Sequence, residues 1–313
     1  MRALTISGLV VLLAACGGPA ESPTADAVDA PTPTAEESAG EMLGGCILTT
    51  PTGVIPADLH TRTALTATDE YAPFNKVLTA GGLMLVGGDA IDDSFMELVA
   101  TTIEEIFPRD ESLDLEAQDR VLRAQYEYRA LIPFFHGQPD MEEDEAAFDA
   151  ITATNSVCDI IMETESGQVM EVVEHILHYV SDIGLHYTFP TEWGIEPGSE
   201  IAQAMARAAE AGYYDIGSYD DIDEDGVRFR VAVQEFAYWV ISTAWDLQTA
   251  YGPQGEREWT LTTPAVLQEN MPELWTMYDR TAARVMVAPS LATLQAIGPT
   301  RAEEAEEAEK AEE

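Results

Sequence analysis

Lysine is almost absent from this chain: Lys76 and Lys310 are the only two. Lysine and arginine together number 15 against 57 aspartates and glutamates, for a formal net charge of -42. So acidic a surface repels nucleic acid and anionic lipid headgroups, which excludes both as partners of the folded part. Long apolar runs are missing at the N-terminus. The stretch from Ile6 to Ala15 falls well short of the ~20 residues that a membrane-spanning helix needs. No serine or cysteine stands in a nucleophile-elbow or triad context. Gly82 and Gly87 have the outer spacing of a phosphate loop, but Gly88 and Asp89 stand where Lys and Ser or Thr are required. No internal repeat is present. Cysteine occurs 3 times, at Cys16, Cys46 and Cys158.

What is there begins with a short apolar run behind the single basic residue Arg2, ending in Leu13-Ala14-Ala15-Cys16. This reads as a secretion signal. Small residues followed by cysteine resemble the bacterial lipoprotein box. That resemblance implies removal of residues 1–15 as a signal peptide and acylation, palmitate included, of the Cys16 thiol at the new N-terminus. The alternative is an ordinary signal peptide that contains a cysteine. Gly17, with no aspartate after the cysteine, resembles the outer-membrane default in envelopes with two membranes. The expected location is the cell envelope, with the membrane as a partner through the lipid anchor only. Residues 16–45 are rich in Pro, Ala, Thr, Ser and Glu with almost no large apolar side chain, the composition of a disordered tether. Residues 46–300 are long enough for one large domain, and 301–313 form an acidic, solvated tail.

Cys46 and Cys158 are the thiols left in an exported domain, and their simplest fate is one disulfide. Two buried free thiols are the alternative. The pattern along the domain is mostly helical. Helices are expected over about 92–107, 115–128, 168–183, 199–212 and 228–251, with shorter ones from Pro264 and Pro272. Residues 141–149 read as an acidic loop or short helix. Strands are expected in GGLMLVGGDA (81–90) and RALIPFF (129–135). The fold class expected is α+β, predominantly helical, a single large domain with a few short strands.

The residues that bear chemistry gather in EVVEHILHYVSDIGLH, 171–186. On a helix, Glu171, Glu174, His175, His178 and Asp182 share one side, while Val173, Ile176, Leu177, Val180 and Ile183 share the other. Imidazole and carboxylate one turn apart can reach a single ion. A plain solvated helix face is the alternative. Glu235 opens the apolar stretch FAYWVISTAW, where a buried carboxylate must be paired or hold a metal. A salt bridge to Arg228 or Arg230 is its alternative. Asp221, Asp223 and Asp225 with Gly226 match the first half of a calcium loop, but the twelfth position is Ala232 rather than Glu. A solvated acidic turn is the competing reading.

EHILH (174–178) resembles the zincin HExxH motif with its first two letters exchanged. A third acidic ligand some way downstream resembles the Glu-type zincins. The segments FNKVL (74–78), VEHILHYVSDIGL (173–185), EPGSEIAQAMARA (196–208) and QEFAYW (234–239), in this order, resemble a family of uncharacterised secreted proteins. That family's pattern falls on Glu174, His178, Asp182, Gly184 and Glu235. Together these imply a zincin-like metal-dependent hydrolase of peptidase type. Glu174, His178 and Glu235 would be ligands, zinc the metal, His175 the base, and Asp182 would orient a ligand imidazole. The substrate would be a peptide or another small molecule. The competing class is a non-catalytic surface lipoprotein with a binding or structural role.

Overall fold

A computed structural model describes residues 46–137, 141–163, 167–253 and 258–304. The expected signal peptide, Cys16 and the expected tether lie outside the described residues. The protein is α+β and about 51% helical, with one small mixed sheet.

Strands β1 (Thr66–Tyr71), β2 (Phe74–Ala80), β3 (Leu83–Gly87), β4 (Leu131–Phe135) and β5 (Ile161–Met162) lie side by side in chain order in a five-stranded sheet. β1, β2 and β3 pair antiparallel, whereas β3, β4 and β5 run parallel. Parallel neighbours need crossovers. Helices α1 (Asp93–Ile106) and α2 (Leu115–Glu127) join β3 to β4, and α3 (Met141–Thr152) joins β4 to β5.

Both faces of the sheet are covered. Leu78, Leu83, Leu85, Ile132 and Phe134 enter the main core with Met96, Val99 and Ile103 of α1 and Val121 and Leu122 of α2. Phe74, Val86 and Leu131 belong to a smaller cluster with Ala147, Phe148 and Ile151 of α3. Alternate residues therefore go to opposite cores, and a strand buried on both sides reads as a continuous apolar run. That is why the sequence announces β3 and β4. β1, TATDEY, buries only Tyr71 and carries no such signal.

The second half is helical: α4 (Gln168–Tyr179), a π-helical turn (Val180–Leu185), α5 (Glu200–Glu210), α6 (Asp225–Ala244), α7 (Pro264–Asn270), α8 (Pro272–Arg280) and α9 (Leu291–Ile297). Ser199, Thr263 and Ser290 cap α5, α7 and α9, each side chain accepting a backbone N–H from the first turn. α6 starts at Asp225 and stops at Ala244 rather than running 228–251. Asp246, at φ 59°, is left-handed and cannot continue a helix. Order also continues past residue 300: Arg301 donates to the carbonyl oxygens of Gly252 and Thr249, and residues 301–304 are helical. Among the described residues no helix is long and apolar enough to cross a membrane.

Cys46 and Cys158 form a disulfide across 112 residues of chain. Beside it, Ile47 and Val157 exchange both backbone hydrogen bonds, at 2.8 and 3.0 Å. The start of the domain is thus tied to the segment that leads into β5.

The expected single helix over 168–183 changes character at Tyr179. Its last part widens into the π-helical turn, all of it buried, against α2. Gly184 allows that approach. A Cβ there would stand 2.7 Å from Val121 Cγ1 and 3.3 Å from Gln125 Nε2. Gly184→Ala should destabilise the protein by ~1–3 kcal/mol through overpacking. Equilibrium denaturation of the purified variant checks this, and an unchanged midpoint would show that α2 yields freely.

Candidate metal centre

α4 crosses the interior. Val169, Met170, Val172, Val173, Ile176, Leu177 and Tyr179 are buried, and so is His178 on the side expected to be polar. α6 packs against α4, bringing Glu235 to His178 and the Tyr238 ring edge-on to it. The chemistry-bearing face of α4 is therefore an internal surface and not a solvated one.

Glu174, His178 and Glu235 converge, with one donor atom from each lying within 4.8 Å of the others. His178 Nε2 is 3.4 Å from Glu235 Oε2. Two donors of one tetrahedral ion, each ~2.1 Å from it, are separated by about that much. His178 Nε2 has no hydrogen-bond partner, although the His178 side chain is only 1% exposed. Its other nitrogen is engaged: Nδ1 lies 2.8 Å from Asp159 Oδ2. A carboxylate on Nδ1 fixes the ring and aims Nε2 at Glu235, which is how proteins orient a metal-binding imidazole. A buried Glu-His-Glu group that could hold a metal ion is thus present. Glu235 keeps 18% of its side chain exposed.

The charges around it are strained by proximity. Burial, and then the neighbouring Glu235 carboxylate, push the Glu174 carboxyl up to about 8. Two carboxylates held this close require a proton or a cation between them. Burial would lower His178, but Glu235 and Asp159 outweigh it and hold the imidazole well above its ordinary range. Burial would raise Asp159, but His175 and His178 keep it below the usual carboxylate range. The Tyr238 hydroxyl interacts with Glu174 and Gln248, and its ring meets His178 edge-on at 6.2 Å. One turn beyond Glu235, Trp239 Nε1 donates to Glu258 at 3.0 Å, and the Tyr219 hydroxyl donates to the same oxygen.

Two expected roles are corrected by these contacts. Asp182 does not hold the His178 imidazole; Asp159 does. Asp182 sits in the π-helical turn, whose wider winding carries it off the line of the preceding turns. There it accepts from Ser181 Oγ at 3.2 Å, and burial pushes it up to about 7. His175 is not presented as a base. Its Nδ1 is 3.3 Å from Glu171 Oε1 and its Nε2 is 3.6 Å from Asp159 Oδ2. Burial would lower it, but Asp159 and Glu171 hold it up at about 9. It flanks the same Asp159 oxygen as His178.

The acidic loop does not assemble. Asp221, Asp223 and Asp225 are exposed. Asp225 opens α6 and pairs with Arg228 at 3.2 Å. Among the described residues, the ligand atoms that converge as a metal site are those of Glu174, His178 and Glu235. The expected calcium loop is a solvated turn at a helix start. Arg228, one of the two arginines expected as partners of Glu235, is occupied by Asp225 and by the Ile222 carbonyl.

Sequence reasoning missed Asp159. It lies outside any helix or strand, and its one local signal is that it follows Cys158. Tyr179 secures it. The phenol lies 2.6 Å from the carbonyl oxygens of both Asp159 and Leu131, and the Asp159 N–H donates back to it at 3.2 Å. Tyr179→Phe would leave these buried groups unpaired. It should cost ~1–3 kcal/mol of stability, measurable by denaturant titration. A loss below a few tenths would show that the groups find other partners.

No protein-family model, curated protein or solved structure matches this chain, so its site is read from its own geometry.

Proposed function

We propose that this chain is a cell-envelope lipoprotein in which Glu174, His178 and Glu235 hold a divalent cation, and that it acts as a metal-dependent hydrolase of peptidase type. The observation that carries the reading is the His178 imidazole. It is fully buried, its Nδ1 is taken by Asp159, and its Nε2, which makes no hydrogen bond, lies 3.4 Å from Glu235. Buried polar atoms without partners are rare, and a metal ion satisfies this one. An imidazole with two carboxylates suits zinc, with manganese the harder alternative. Three protein donors leave a coordination position for water or substrate, and the partly exposed Glu235 marks the side from which either would enter. A cation there would polarise a carbonyl group and acidify a bound water.

A specific observation also favours a second reading. His178 lies between Asp159 and Glu235, which by themselves make a buried ion-pair chain. That chain suits a non-catalytic surface lipoprotein.

Elemental analysis of protein purified without chelator separates the two. About one zinc or manganese per chain is expected, falling to background in His178→Ala and Glu235→Gln. Hydrolysis of a peptide library should vanish with chelator and return with added metal. A metal-free protein with intact fold supports the ion-pair reading. A metal-loaded protein inert on every peptide retires the hydrolase and keeps the metal site.

The envelope location is tested apart from the site. Cys16→Ser should abolish acyl labelling and release the protein from membrane pellets. A variant that still sediments with membranes in high salt would contradict the lipid anchor.

A further inference from the structure

Asp159 and the disulfide meet at one point of the chain. Cys158 is half of the Cys46–Cys158 bridge, and the next residue is the carboxylate on His178 Nδ1. The segment is held from the N-terminal side as well. Ile47 pairs with Val157, the Thr49 N–H donates to Ser156 Oγ at 3.0 Å, and Ser156 Oγ donates to the Tyr128 carbonyl at 2.6 Å. The Cys46 backbone reaches the same region from the other side, hydrogen-bonding Asp182, one turn beyond His178. Residues 156–160 form no helix or ladder strand that would fix Asp159 independently. Its own backbone hydrogen bonds go to the phenol of Tyr179.

From this juxtaposition we infer that Asp159 is the positioning residue of the metal centre, and that the Cys46–Cys158 disulfide sets its place, so that high metal affinity belongs to the oxidised chain. The inference rests on the metal reading above. Its physical content is orientation. A ligand imidazole binds best when its remote nitrogen donates to a fixed acceptor, and loss of such an acceptor typically weakens metal binding ~10–100-fold. Opening the bridge removes the covalent tie at residue 46 and leaves the Ile47–Val157 and Thr49–Ser156 hydrogen bonds to hold the two segments together. Ser156 keeps its hydrogen bonds to residues 128–131, and the Asp159 backbone keeps its contacts with Tyr179, so Asp159 is loosened and not released. The imidazole keeps its place on α4 while its partner is held less firmly. The consequence is compartmental. Disulfides persist in oxidising compartments and not in the cytoplasm. The chain would acquire its full metal affinity only after export.

Competition with a chromophoric chelator, with zinc as the probe, measures the effect in the full mature chain. Oxidised protein is compared with protein reduced by a phosphine, and the Cys46→Ala/Cys158→Ala variant serves as control. Far-UV circular dichroism confirms that each remains folded. Reduction should weaken zinc binding by ~10-fold or more, and Asp159→Ala by ~10–100-fold. Asp159→Asn, which retains an acceptor for Nδ1, should fall between wild type and Asp159→Ala. Reduction of Asp159→Ala should add less than about a twofold change, because the bridge acts through the missing carboxylate.

Affinity unchanged on reduction of the wild type overturns the inference. So does a full further loss on reduction of Asp159→Ala, since the bridge would then act elsewhere. If the reduced protein and the cysteine variant unfold, Asp159→Asn and Asp159→Ala in the oxidised chain decide the positioning role, and wild-type affinity in both refutes it. Oxidised wild type that binds no zinc refutes the metal reading itself. Proton–nitrogen correlation spectra of the histidines keep the two failures apart. The Nδ1–H of His178, bonded to Asp159, should be seen in the oxidised protein and lost on reduction, whether or not zinc binds.

Discussion

His178 is held in the protein interior by a carboxylate on one ring nitrogen and faces a second carboxylate with the other. Much of the surrounding architecture serves this arrangement. A buried imidazole between anions is costly unless each group is supported, and every support comes from a different part of the chain. α4 supplies the imidazole and Glu174. α6 supplies Glu235 and the aromatic wall of Tyr238 and Trp239. The irregular segment before β5 supplies Asp159. Tyr179, the residue after His178, reaches back to the Asp159 backbone and across to β4. The centre therefore ties the sheet to the helical half.

That dependence explains features with no local rationale. α4 buries residues on both sides because it runs between the sheet-side core and α6. The helix widens after His178, and Gly184 lets the widened turn seat on α2. Asp182 is thereby carried off the ligand row, and its role passes to a residue 23 positions earlier in the chain (Asp159). The disulfide joins the domain's first described residue to this same segment. In the entropic picture it constrains the unfolded chain. Here it also borders the one carboxylate whose position the imidazole depends on.

The fold was legible where burial and chemistry act locally. β3 and β4 are buried on both faces and read as apolar runs. Ser199 and the prolines at 264 and 272 mark helix starts through capping and fixed φ. β1 was not legible, since its pairing with β2 rests on backbone hydrogen bonds that polar, exposed side chains do not reveal. The stop of α6 at Ala244 was equally hidden, because the left-handed Asp246 sits inside an apolar pattern that continues beyond it.

For the site, helical periodicity alone placed Glu174, His175 and His178 together on α4, since residues three and four apart share a face whatever surrounds the helix. Composition likewise determined the acidic surface and the predominance of helix. Which of those side chains joins Glu235 in the Glu-His-Glu group, which faces other carboxylates and which partner holds the imidazole was decided only by tertiary structure. His175 and His178 differ by less than one helical turn, yet one is flanked by Glu171 and Asp159 and the other lies between Asp159 and Glu235. Those contacts depend on how α6 and the segment after Cys158 pack against α4, and such long-range packing leaves no periodic trace in the order of residues.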